Sequence, residues 1–171
     1  MTPLRLIIAG SRTVDPTDEQ ITAGVVEVVR SALTLEVLRA TLKTGEVGEV
    51  PEDAQIERDL ARYVGEVICG KADGADLAGK RWAERRGIPV HEDPVTDADR
   101  AAHGVYLAPK ARNHRMSARA SHAVVFWDGR SGGSSDMAAR MLLRRKPALV
   151  LRMERRASRQ RARKSTTTDV F

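Results

Sequence analysis

Four short clusters in the 171-residue chain combine residue types suited to holding an oxyanion. They read Gly10-Ser11-Arg12, Gly70-Lys71-Ala72-Asp73-Gly74-Ala75-Asp76, Arg112-Asn113, and Trp127-Asp128-Gly129-Arg130-Ser131-Gly132-Gly133-Ser134. Small residues let backbone N–H groups approach an anion closely. Serine hydroxyls donate to phosphate oxygens, and arginine grips them with two parallel hydrogen bonds. Trp127 offers a ring for stacking on a base. The shared chemistry is that of a phosphate-bearing ligand. The candidate ligand-binding residues are Gly10, Ser11, Arg12, Gly70, Lys71, Gly74, Asp76, Arg112, Asn113, Trp127, Ser131, Gly132, Gly133 and Ser134.

Signals for catalysis are missing by comparison. The Gly70–Gly74 segment does not end in the Gly-Lys-Ser/Thr of a Walker loop, and it is not the Gly-x-Gly-x-x-Gly dinucleotide fingerprint. The chain has no Gly-x-Ser-x-Gly nucleophile elbow. No pair of carboxylates has an evident acid–base role, so no catalytic residue is assigned. The four histidines, His91, His103, His114 and His122, lack metal-ligand spacing, and no metal is expected.

The clusters fall at the ends of elements that alternate between strand and helix. PLRLIIAG reads as a strand buried on both faces, ended by Gly10. Thr17 followed by Gln20 forms a capping-box pattern, which starts a helix running to about Leu42 with a break near Thr34. KTGEVGEVPED reads as a surface loop, and IERDLARY as a short helix. EVICG is a second strand, DGADLAGKRWAERRG a helix, and IPVH a third strand. Residues 92–108 are polar and show no period, and PKARNHRMSARAS holds a short helix. HAVVFW is a fourth strand; a helix to about Arg145 follows the serine-glycine loop, and PALVL is a fifth strand. This order predicts an α/β fold, a Rossmann-like three-layer sandwich with a mostly parallel sheet of about five or more strands. Ligands in such folds bind beyond the carboxyl ends of the strands, where the four clusters lie.

Composition sets further bounds. No window approaches the roughly 18 uncharged apolar residues of a membrane span, and MTPLRLIIAGSR reads as a first strand instead of a signal peptide. The single Cys69 can form neither an intramolecular disulfide nor a metal cluster, which fits a reducing cytoplasm. Charge is uneven: residues 152–171 hold seven Arg/Lys and two acids, whereas residues 1–151 hold 22 basic and 21 acidic residues. The expected organisation is one ligand-binding domain over 1–151, with an insertion around 34–60, and a basic, disordered tail over 152–171. Two readings stand for the tail, a nucleic-acid contact and a solubilising extension.

The motifs IAGSR, GKADGAD with AGKRWAERRGIPV, ARNHRM and AVVFWDGRSGGSSDM together resemble the YspA/YpsA-related branch of the SLOG superfamily. These are Rossmann-like domains related to DprA and to the "Lonely guy" phosphoribohydrolases. The resemblance covers residues 4–151 apart from about 34–60. It implies a pocket for a nucleotide or nucleotide-derived ligand, related to NAD or ADP-ribose, and a homodimer paired through helices flanking the site.

The chain departs from the pattern in places. Lys71 stands where the family usually has glycine, Asp73 where it has a cation, and Ser134 where the last loop has threonine. The phosphoribohydrolase relatives place a glutamate three residues after that threonine, and here the position is Met137. Methionine can act neither as a base nor as a charge stabiliser. Asp136 is one position off and on a different side of the helix, so an acid from Glu92, Asp93, Asp97 and Asp99 would have to replace it. The expected function is a cytoplasmic sensor or sequestering module for a nucleotide-derived small molecule. The alternatives are an N-glycosidase or phosphoribohydrolase on a nucleoside monophosphate or NAD-like substrate, and a DprA-like nucleic-acid module acting through the tail.

Overall fold

Parallel strands lie between two helix layers, so their side chains are buried on both faces and read as continuous apolar runs. The first run becomes β1 (Leu4–Gly10), in which Leu6, Ile7 and Ile8 have no exposed surface. The structure, a computed structural model, describes residues 1–156. After β1 come α1 (Asp18–Thr44), α2 (Asp53–Arg58), α3 (Leu60–Tyr63), β2 (Val64–Cys69), α4 (Ala75–Arg85) and β3 (Val90–Glu92). The second half adds α5 (Asp97–Arg119), β4 (His122–Trp127), α6 (Gly132–Leu143) and β5 (Ala148–Arg152). All five strands are parallel, in the order β3-β2-β1-β4-β5.

Residue alternation along each strand sorts the core into two layers. Leu6, Ile8, Val67, Val124 and Phe126 pack with Ile21, Val25, Val29, Trp82 and Ala83 from α1 and α4. Ile7, Ala9, Ile68, Ala123 and Val125 pack with Met116, Met137 and Met141 from α5 and α6. The crossovers therefore change face between β1 and β4. The strand order reverses there, leaving a crevice at the carboxyl ends of those two strands.

Two elements differ from the sequence expectation. Helix α1 does not break near Thr34: it runs to Thr44, and the Thr34 hydroxyl donates to the Arg30 carbonyl one turn back. That bond satisfies the side chain inside the helix. The capping box at its start forms as expected, with Thr17 and Gln20 exchanging backbone and side-chain bonds. Of the segment around 34–60, Ile56 and Leu60 join the core.

The second difference is α5. Residues 97–119 form a helix interrupted at Gly104, whose φ is 71°. Its N-terminus has a second capping box, Thr96 with Asp99. From 97 to 107 only Asp99 is buried, so no apolar stripe marks the helix in the sequence.

Candidate functional site

The crevice between β1 and β4 is a cleft of about 540 Å³. Its floor starts at Gly10. A Cβ there would stand 2.1 Å from the Phe126 carbonyl oxygen and 2.8 Å from Ala75, so only glycine lets β1, β4 and α4 meet this closely. Ser11 follows, and its N–H donates to Phe126 O at 2.9 Å. Its hydroxyl lies 3.0 Å from Asp128 Oδ1 and 3.1 Å from Ser134 Oγ.

Asp128 organises the opposite wall. Its carboxylate accepts from the Thr13 hydroxyl at 2.7 Å and from the N–H groups of Arg130 and Ser131 at 3.0 and 2.8 Å. The Thr13 bond first, then these two N–H groups, hold its carboxyl well below the usual carboxylate range. In the sequence, Asp128-Gly129 looks like an ordinary turn, so this role was not read there. A partner 115 residues away in the chain leaves no local signal.

Ser131 caps α6. Its side chain accepts from Ser134 N–H at 3.4 Å, and its carbonyl accepts from Ser135 N–H at 3.2 Å. The N–H groups of Gly132 and Gly133 have no acceptor among the described residues, and both glycines line the cleft. Helix N-terminal donors left over in this way attract anions, reinforced by the helix dipole. Asn113 fixes the same turn by donating to Gly133 O at 3.1 Å and to Asp136 Oδ2 at 3.0 Å.

Arg112 is placed differently from a free phosphate grip. It is 7% exposed, and its Nη1 donates to Gly70 O at 2.5 Å and to Asp76 Oδ2 at 3.3 Å. Asp76 also accepts from Gly10 N–H and Ala72 N–H. Burial pushes the Asp76 carboxyl up, against the pull of Arg112 and these N–H groups. The pair ties the first two loops together. Gly70 leaves the room it needs, since a Cβ there would fall 1.6 Å from Arg112 Nη1. Arg112 Nε is buried with no partner among the described residues.

Ten of the fourteen sequence-derived candidates line the cleft: Gly10, Ser11, Arg12, Asp76, Arg112, Asn113 and Ser131 to Ser134. Gly70 and Lys71 line a smaller cavity beside it. Gly74 precedes α4 as its N-cap. Trp127 lies outside the cleft lining and donates its indole N–H to Ser131 O at 3.1 Å, bracing the loop.

Arg130, from the Trp127–Ser134 cluster, also lines the cleft, as do Tyr106, Lys110 and Arg155, to which no sequence motif points. Tyr106 lies just past the Gly104 break and is 92% exposed. Arg155 arrives because the chain after β5 crosses the cleft rim. Met153 N–H donates to Trp127 O and Arg156 N–H to Thr13 O, both at 2.8 Å, and Arg155 Nε stands 3.6 Å from Asp128 Oδ2. The ordered chain thus extends past Leu151, while residues 157–171, the bulk of the basic tail, lie outside the described residues.

Acid–base candidates do not gather here. Glu92 pairs with Lys71 and Lys80, Asp93 and Asp99 with Arg115, and Asp97 with Arg100. None of the four acids lines the cleft. Asp136 is held by Asn113 and Arg140. Met137 does line the cleft, and it is buried. Comparison of the chain with protein-family models, with curated proteins and with solved structures finds no match in any of the three.

Proposed function

We propose that the cleft binds a nucleotide or nucleotide-derived ligand, of the NAD/ADP-ribose or nucleoside-phosphate class, and that the protein senses or sequesters it. One observation carries this reading: the unpaired N–H groups of Gly132 and Gly133 open onto a cleft ringed by Arg12, Lys110, Arg130 and Arg155. Donors at a helix start and exposed cations around them suit phosphate oxygens. The exposed Tyr106 ring at the rim takes the base-stacking role assigned to Trp127 from sequence. The order of the motifs, which resembles the SLOG branch, supports the same ligand class.

Binding is favoured over glycosidic cleavage by the state of the cleft carboxylates. Asp128 already accepts hydrogen bonds from Ser11, Thr13 and two N–H groups, and Asp76 is buried against Arg112. Among the described residues, an oxocarbenium-like transition state would find no disengaged carboxylate beside it. Calorimetric titration with nucleoside phosphates, NAD and ADP-ribose tests the binding, and chromatography of the same mixtures tests turnover. Binding with intact ligand is the expected result; steady product formation by the wild type would replace this reading with the hydrolase. The homodimer and the cytoplasmic location belong to the same proposal, with sedimentation as the test of the dimer; the nucleic-acid module acting through the tail stands as an alternative, tested by salt-dependent DNA retention.

A further inference from the structure

A second cavity of about 290 Å³ adjoins the cleft and shares Arg12, Ala72, Pro109 and Arg112 with it. To these it adds two more cations, Lys71 and Arg100, and among the described residues no Asp or Glu lines it. Its volume falls just below the range of about 300–1,000 Å³ that takes a whole drug-sized ligand, so it suits one group of a ligand seated next door.

Three of the four cations around it are not locked away. Arg12 has no ion-pair partner among the described residues. Lys71 shares the Glu92 carboxylate with Lys80, at 2.9 and 2.6 Å. Arg100 is paired with Asp97, whose side chain is fully exposed. Solvent-facing pairs of this kind are weak and readily exchanged for a better anion. Arg112, buried between the two cavities, keeps an unpartnered Nε. Lys71 moreover sits at φ 56°, a backbone conformation that side-chain-bearing residues rarely adopt and that clusters at ligand sites.

We propose that this side lobe is a second anion subsite, and that the preferred ligand is a nucleotide carrying two phosphate groups. One phosphate sits at the Gly132–Gly133 donors; the other enters the lobe past Arg12 to meet Lys71 and Arg100. This inference rests on the nucleotide reading of the main cleft. The second phosphate reaches the lobe either as the β-phosphate of a 5′-diphosphate or from a separate ribose oxygen.

The test is calorimetric titration of the full chain with the four ribonucleoside 5′-monophosphates, 5′-diphosphates and 3′,5′-bisphosphates. For the preferred base, one of the two doubly phosphorylated series should bind at least tenfold tighter than the monophosphate, and which one does so tells the two attachments apart. That ratio should fall to about twofold in Lys71→Gly and in Arg100→Gln. Arg100→Gln changes only a solvent-facing side chain, and Lys71→Gly relieves the positive φ, so both variants should fold. A wild-type ratio near one, or a ratio unchanged in both variants, overturns the second subsite while monophosphate binding leaves the main cleft standing. Failure of every compound to bind overturns both.

Discussion

Arginine 112 and arginine 12 look alike as cations near a phosphate loop, yet burial gives them opposite duties. Arg112 neutralises the buried Asp76 and bonds Gly70 O, whereas Arg12 is exposed beside the cleft. Arg112→Ala would strand Asp76 as a buried, unpaired carboxylate, a change that costs about 3–5 kcal/mol. Arg12→Ala should stay within about 0.5 kcal/mol of the wild type, as surface changes usually do. Urea unfolding without ligand checks both values, and equal stability of the two variants would refute the division of roles. Residue types and spacing were enough to bring Arg112 and Asn113 to the right place in the fold. Their partners were not legible, because Gly70 O and Gly133 O come from other loops.

Titration belongs to the same scale. Asp128 and Asp99 are both held below the ordinary carboxylate range, the first chiefly by the Thr13 hydroxyl and the second by Arg115. A carboxyl whose folded pKa lies below its unfolded value of about 3.9 gives stability that is fully present above that value. The contribution disappears as pH falls toward the folded pKa. Asp76, raised by burial, runs the other way and stabilises most in acid. Asp128→Asn should therefore lose less stability than the wild type between about pH 4 and pH 2.5, as read by urea midpoints across that window. Parallel acid limbs in the two proteins would show that Asp128 is not held as described.

At the scale of elements, the strands were the most legible part. β4 falls on the predicted HAVVFW, and the other four strands lie within two residues of their apolar runs. Parallel burial writes itself as unbroken apolar sequence. Helix α5 was legible only in its second half, since its first turns bury little and Gly104 interrupts it. The segment after β5 was read as a tail from composition, because basic residues give no sign of the backbone bonds they make. A chain ended at Leu151 loses the Met153 and Arg156 N–H bonds and the Met153 side chain packed on the core. It should be less stable than a chain ended at Arg156 by about 2 kcal/mol, at roughly 1 kcal/mol per hydrogen bond. Matched denaturation curves of the two chains decide this, and coincident midpoints would mean that the segment is not part of the folded domain.

For the whole molecule, the strand order places the crevice at the β1/β4 switch point, and the motif order places the small and cationic residues around it. Fold class and cleft position follow from periodicity and from the general location of ligands in parallel sheets. The choice of which cations stay free follows from tertiary contacts alone. The central claim is that this cleft, with Arg12 at its edge, binds nucleotide phosphate. The most direct measurement is thermal unfolding of the wild type and Arg12→Ala across nucleoside mono-, di- and bisphosphates, NAD and ADP-ribose. A ligand present at a hundred times its dissociation constant stabilises the folded state by about 2.7 kcal/mol, well above the resolution of the method. The expected result is a clear upward shift of the wild-type midpoint with at least one of these compounds, much reduced in Arg12→Ala although the two unliganded midpoints agree. No shift for any compound, or an equal shift in both proteins, would contradict it.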